Sequence, residues 1–177
     1  MFTHFKLPIL LFIFFNLFNT YANAQYSHYE GQGQIFIGGA KTGISNNYHL
    51  GFAYHFKNKL AVTPQLSFET AHPHQTKYSN IGLDVGALYS LANIGEMLNI
   101  NITGAGVVCY ETIKGISSTT VSGFGLNYGI RAGGEIEYNL NSQISFAAFG
   151  SQYYLLKKES GSFRYNIGLT AKFNILE

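Results

Sequence analysis

Polarity alternates without a break from Phe163 to Ile175. Phe163, Tyr165, Ile167, Leu169, Ala171, Phe173 and Ile175 fall on one face, and Arg164, Asn166, Gly168, Thr170, Lys172 and Asn174 fall on the other. Only a β-strand has a side-chain period of two, so this stretch is a strand with one apolar and one polar face. It is also long: a soluble strand runs about 5 to 6 residues, whereas a tilted strand crossing a bilayer needs about 9 to 11. The stretch therefore predicts a membrane-spanning β-barrel, and the rest of the chain must supply the other staves.

The same alternation recurs upstream. Gln34 to Ala40 reads as a first strand of ambiguous phase, because Ile35, Phe36 and Ile37 run together. In a second, Tyr48, Leu50, Phe52, Tyr54 and Phe56 alternate with His49, Gly51, Ala53, His55 and Lys57; after a tight turn at Asn58-Lys59, a third sets Leu60, Val62, Pro64, Leu66 and Phe68 against Ala61, Thr63, Gln65, Ser67 and Glu69. Pro64 cannot donate to a sheet, so a bulge is expected there. The loop Ala71 to Thr76 precedes a fourth strand, with Ile81, Leu83, Val85, Ala87, Tyr89 and Leu91 facing away from Gly82, Asp84, Gly86 and Ser90. The connection Ala92 to Met97 leads to a fifth, in which Leu98, Ile100, Ile102, Val108 and Tyr110 oppose Asn99, Asn101, Thr103 and Glu111.

Lys114 to Gly123 is rich in Ser, Thr and Gly and has no apolar period, so it reads as a loop. A sixth strand sets Phe124, Leu126, Tyr128, Ile130, Ala132, Ile136, Tyr138 and Leu140 against Asn127, Arg131, Glu135, Glu137 and Asn139. Asn141-Ser142 turns into a seventh, Gln143 to about Leu155, and the loop from Lys157 to Ser162 returns to Phe163. Connections after the second, fourth and sixth strands are short, and those after the first, third, fifth and seventh are expected to be longer. Outer-membrane barrels have that asymmetry, with short periplasmic turns, and it would leave both termini in the periplasm.

The start of the chain agrees with export. Lys6, the apolar run from Leu7 to Phe15 and the small residues Ala22-Asn23-Ala24 form the order of a secretory signal peptide, with cleavage expected before Gln25. Residues 1–24 are then the signal and 25–177 a single barrel domain. The apolar run is far short of the roughly 18 residues that would demand a membrane anchor.

Charged residues make up only 11 % of the chain, which leaves too few for the outside of a soluble barrel. That shortage argues against the inverted, lipocalin-like arrangement with apolar side chains inside. The net charge of +2 falls to +1 without Lys6, so direct nucleic-acid contact is not expected. Cys109 is the only cysteine, which excludes an intrachain disulfide.

Eight strands close into a barrel that its own side chains can fill, so no open pore is expected. Tyr48, Phe56, Phe124, Tyr138 and Phe163 lie near strand ends, where aromatic girdles form. Buried charges must be paired, which predicts a lumenal ionic network of Glu69, Asp84, Glu111, Arg131, Glu135 and Lys172, beside Glu137 and Arg164. Arg131 and Lys172 are expected to meet Glu111 and Glu135. A sharper alternative makes Asp84 and Glu111 a proton path or catalytic pair; the structural reading is preferred, because a small barrel must fill its polar interior somehow.

Other chemistry is sparse. His72-Pro73-His74 offers two imidazoles where a metal site wants three or four convergent ligands, so no metal or cofactor is expected. Gly38-Gly39 and Gly133-Gly134 lie inside strands with no helix to follow, so they are no nucleotide loop and relieve crowding instead. A Ser-His-acid hydrolase could draw on His55 and Ser67 from adjacent strands, but no local motif supports one, and no small-molecule substrate is expected.

The second half of the chain carries a resemblance. Val108-Cys109-Tyr110-Glu111-Thr112-Ile113, Gly123-Phe124, Tyr128-Gly129, Glu135-Ile136-Glu137-Tyr138-Asn139-Leu140 and Ile167-Gly168-Leu169-Thr170-Ala171-Lys172-Phe173 resemble the conjugative-transposon TraO family of conjugal transfer proteins. It covers Leu98 to the C-terminus, with Cys109 where glycine is expected and Gly125-Leu126-Asn127 as an insertion. The resemblance implies an outer-membrane barrel that contacts other proteins of the transfer apparatus and has no catalytic residues. The alternatives are a surface-interaction barrel working through its outer loops and, third, a lipid-modifying enzyme.

Overall fold

A computed structural model describes residues 28–43, 45–72, 76–95, 97–115, 123–156 and 163–176. The expected signal peptide and His74 lie outside the described residues. Eight strands run in chain order: β1 Gly33–Thr42, β2 Ser45–Lys57, β3 Leu60–Ala71, β4 Thr76–Ile94, β5 Leu98–Gly115, β6 Gly123–Asn139, β7 Ile144–Leu155 and β8 Phe163–Leu176. Each pairs antiparallel with the next, and β8 pairs with β1 to close the barrel. Among the described residues there is no helix.

The phase of every strand puts apolar side chains outside. Leu50, Leu66, Val85, Ile130, Ile167 and Leu169 are all exposed, while Glu137, Asp84 and His55 have no exposed surface. The inverted arrangement is thereby excluded. The ambiguous first strand resolves with Ile35 and Ile37 outward and Gln34 and Phe36 inward. Exposed aromatics collect near both ends of the wall. Tyr48, Phe68, Tyr110, Tyr128, Tyr154 and Tyr165 stand toward the end of the β1–β2, β3–β4, β5–β6 and β7–β8 connections, here called the loop end. Tyr54, Phe56, Tyr89, Tyr138, Phe146 and Phe173 stand toward the terminal end, and this is the girdle pattern of a wall facing a bilayer. The side chain of Phe124 is not among those described.

Three details depart from the sequence reading. The β1–β2 connection is only residues 43–44, because Lys41↔Asn46 and Thr42↔Ser45 continue the ladder with polar residues. Pro64 causes no bulge: the β2–β3 ladder lapses between Gly51↔Gln65 and Tyr54↔Val62 and resumes in the same register. The missing N–H costs a rung and does not displace the strand, and the register shift lies instead between His55 and Lys57, beside the Asn58-Lys59 turn. Finally, β4, β5 and β6 have 19, 18 and 17 residues against 10 to 14 in the other strands. Among the described residues the β6–β7 register begins at Gly129↔Leu155, with one further main-chain bond from Leu156 to Tyr128. The loop-end parts of β4, β5 and β6 thus form a three-stranded flap that continues past the described ends of β3, which accompanies β4 as far as Tyr78, and of β7.

Two inward glycines are set by close approach. A Cβ on Gly51 would overlap the Phe36 ring, and one on Gly38 would overlap the His49 imidazole and the Leu169 carbonyl. Gly39, on the outward face, has ordinary room.

Candidate functional site: the lumenal ion-pair tiers

The inward side chains of eight strands meet in the lumen, where burial forces every charge to find a partner. They sort into three tiers. Toward the terminal end, Lys172 of β8 reaches Glu135 and Glu137 of β6, with Nζ 2.7 Å from Glu137 Oε2. Glu137 has no exposed surface and Lys172 only 4 %. Asn101 Nδ2 donates to both carboxylates, at 2.9 Å to Glu135 and 3.2 Å to Glu137, and Ser145 Oγ donates to Glu137 Oε1 at 2.5 Å. The lead-in before β1 completes this tier. His28 Nε2 lies 3.1 Å from Glu137 Oε2, its Nδ1 lies 2.7 Å from Ser90 Oγ, and its ring stacks on His55 at 4.6 Å. Main-chain bonds between Gly31 and His55, and between His55 and Gln32, hold the lead-in under the barrel.

In mid-lumen, Arg131 of β6 faces Asp84 of β4. Arg131 Nε lies 3.2 Å from Asp84 Oδ2, within ion-pair range but off the line of a hydrogen bond. Tyr153 OH donates to the same oxygen at 3.4 Å, and the guanidinium lies 5.9 Å from the Tyr153 ring centre. His49 Nε2 meets Thr170 Oγ1 at 3.0 Å.

Toward the loop end, Arg164 of β8 crosses the mouth to Glu111 of β5 and to Glu69 of β3, the latter at 3.4 Å. It also donates to Tyr78 OH of β4 at 2.6 Å, and Tyr78 in turn donates to Glu111 Oε1 at 3.2 Å. Asn127 and Asn80 donate to Glu111 and Glu69, and Ser45 Oγ donates to Glu69. Arg164 therefore ties the flap to the opposite wall.

All six expected network residues face the lumen, but the pairing differs from the expected one. Lys172 meets Glu135, whereas Arg131 meets Asp84 and reaches neither Glu111 nor Glu135 among its ion pairs. The register explains this. Asp84 and Arg131 flank β5 at Val107 and Ala105, while Glu111 sits farther along β5 opposite Gly125. Glu111 belongs to Arg164, which alternation had put on the inward face without a partner. His28 gave no sequence signal, since a single residue in a lead-in has no period.

Among the described residues the lumen holds cavities of about 40 and 20 Å³. Each has room for no more than a few waters and is far below the roughly 300 Å³ of a small-molecule pocket. The first lies beside Phe36, His49, Arg131 and Lys172, the second beside Asn47, Cys109 and Arg164. Apolar side chains also pack in the lumen in clusters, one of Phe36, Ala53, Ala61 and Leu88, another of Val107, Cys109 and Leu155. Ser67 stands opposite His49, not His55, and His49 turns to Thr170, so the Ser-His pairing weighed from sequence is not assembled. Among the described residues no cluster of three or more His, Cys, Asp or Glu side chains is placed to hold a metal.

No protein-family model matches this chain, and no curated protein matches it. Solved structures do. The N-terminal β-barrel domain of Pseudomonas aeruginosa OprF is 18 % identical, with a TM-score of 0.63 over 82 % of this chain and 98 % of that one. Neisserial surface protein A is 10 % identical, with a TM-score of 0.63 over 81 % and 95 %. Ail, the attachment invasion locus protein of Yersinia pestis, is 13 % identical, with a TM-score of 0.59 over 82 % and 99 %. The likeness is one of architecture: this chain has the closed eight-stranded antiparallel fold of the small outer-membrane barrels.

Proposed function

We propose that this chain is an outer-membrane barrel that serves a conjugative DNA-transfer apparatus as a structural or assembly component. The observation that carries the proposal is where the residues of the TraO resemblance fall. Tyr110 to Ile113 lie on the flap, and Glu111, Glu135 and Glu137 are acids of the loop-end and terminal-end tiers. Among the described residues the lumen is occupied by paired charges and holds only small cavities, which favours the outward rim and the flap as the working surfaces. Both fit docking by other proteins of the apparatus and not contact with DNA. The apolar wall supports a place in the outer membrane, and the short turns at the terminal end support termini in the periplasm.

Deleting the gene from a mobile element, with the neighbouring transfer genes intact, is expected to lower transfer frequency, with recovery on complementation. An unchanged frequency refutes the transfer role.

A second reading, a surface-interaction barrel, is favoured by the flap and by the fold shared with Ail. It predicts that expression in a non-adherent host increases binding to other cells without any transfer genes. The third, a lipid-modifying enzyme, has no assembled catalytic group behind it among the described residues, and an unchanged lipid profile on expression removes it.

A further inference from the structure

The outward face of the flap changes chemistry row by row as it leaves the apolar wall. The β4–β5 register sets Leu83 opposite Val108, then Ile81 opposite Tyr110, Ser79 opposite Thr112, and Lys77 opposite Lys114. An aliphatic row, an aromatic-containing row, a hydroxyl row and an ammonium row follow in that order. This is the polarity sequence of a lipid leaflet from acyl chain to headgroup.

The last row is costly if it has no ligand. Residues directly opposite in an antiparallel pair are close neighbours on one face, and like charges there destabilise the sheet. Lys77 and Lys114 are both exposed. No carboxylate described at this end can neutralise them from outside, since Glu69 and Glu111 face the lumen and are bound by Arg164. Lys41 adds a third exposed cation on the loop-end wall. At the terminal end the signs are mixed: Lys57 and Lys59 share that rim with exposed Glu30, whose main-chain N–H donates to Asn58 Oδ1 at 3.0 Å.

We propose that the Lys77–Lys114 row binds the phosphate group of an outer-leaflet lipid headgroup, with the acyl chains lying along the Ile81–Tyr110 and Leu83–Val108 rows below. A phosphate between the two ammonium groups converts cross-strand repulsion into attraction and anchors the flap at the membrane surface. The inference rests on the membrane placement and orientation proposed above, not on the transfer role.

The test uses protein purified folded from outer membranes and titrated with diphosphoryl lipid A by native mass spectrometry. Fractionation and heat-modifiable gel migration report separately on the membrane reading and on folding. The double variant Lys77→Gln/Lys114→Gln is expected to bind about tenfold more weakly, and Lys57→Gln/Lys59→Gln to bind as the wild type does. Wild-type protein is expected to prefer diphosphoryl over dephosphorylated lipid A, a comparison that needs no variant to fold. Inorganic phosphate at the same concentration is expected not to displace the lipid. Equal binding of the two lipids, an undiminished affinity in the loop-end variant, or displacement by inorganic phosphate each overturns the proposal.

Discussion

The two ends of the lumen solve one problem in different ways. At the terminal end, one cation and two carboxylates from β6 and β8 sit deep between the walls, sealed from below by His28 of the lead-in. At the loop end, Arg164 crosses the mouth and holds three strands at once, and its side chain keeps 11 % of its surface exposed. The first arrangement is a closed bolt within the wall. The second is a latch on the flap. Removing one partner of a fully enclosed pair strands the other charges without solvent, whereas water at the rim softens the same loss. Burial, more than the number of bonds, should therefore set the ranking of the tiers.

The largest effect is expected for Lys172→Met, which leaves Glu135 and Glu137 facing each other uncompensated and should cost about 3 to 5 kcal/mol. Urea unfolding in lipid vesicles, followed by gel migration, measures it. Arg164→Met should cost less, about 2 kcal/mol, because the stranded carboxylates lie near water. Hydrogen exchange in that variant should rise in the loop-end parts of β4 and β5 while the terminal end stays protected. An equal or larger loss for Arg164 than for Lys172 would break the ranking.

Cys109 gives a finer probe of the same contrast. Its thiol is buried beside the Arg164 cavity, so a maleimide should leave it unmodified in the folded barrel. Labelling should accelerate in Arg164→Met and not in His28→Ala, which acts at the other end. His28→Ala itself should cost about 1 kcal/mol, the loss of two hydrogen bonds being offset in part by water entering from below. Smallest of all is the coupling between Lys172→Met and Arg164→Met. The tiers share no partner, so their effects should add to within about 0.5 kcal/mol.

How far the sequence foretold this depends on the kind of information each feature needs. Strand number and face follow from alternation, because a bilayer outside and a polar interior impose the period on every stave; β8 shows it over its whole length. Pairing does not follow. Arg131 selects Asp84 over Glu111 through the stagger of β4, β5 and β6, and stagger leaves no trace in a single strand's polarity. The flap was hidden for a related reason. Beyond the apolar wall an outward residue need not be apolar, so Lys77 and Ser79 in β4 and Lys41 in β1 blur the period, and alternation alone starts the fourth strand at Ile81 and stops the first at Ala40. Leu88, Val107 and Leu155 break the binary pattern in the other direction, filling space between ion pairs with apolar volume.

The central claim is that the polar face of each strand is enclosed and the apolar face meets lipid. Spin labels placed singly along β8 in a Cys109→Ser background, with the protein in bilayers, test it directly. Labels at Ile167, Leu169 and Phe173 should be accessible to oxygen dissolved in the acyl region, and labels at Asn166 and Thr170 should be shielded from both oxygen and a water-soluble nickel reagent. That period-two alternation is the predicted result. Nickel accessibility at Ile167 and Leu169, or a profile with no alternation, would contradict the account.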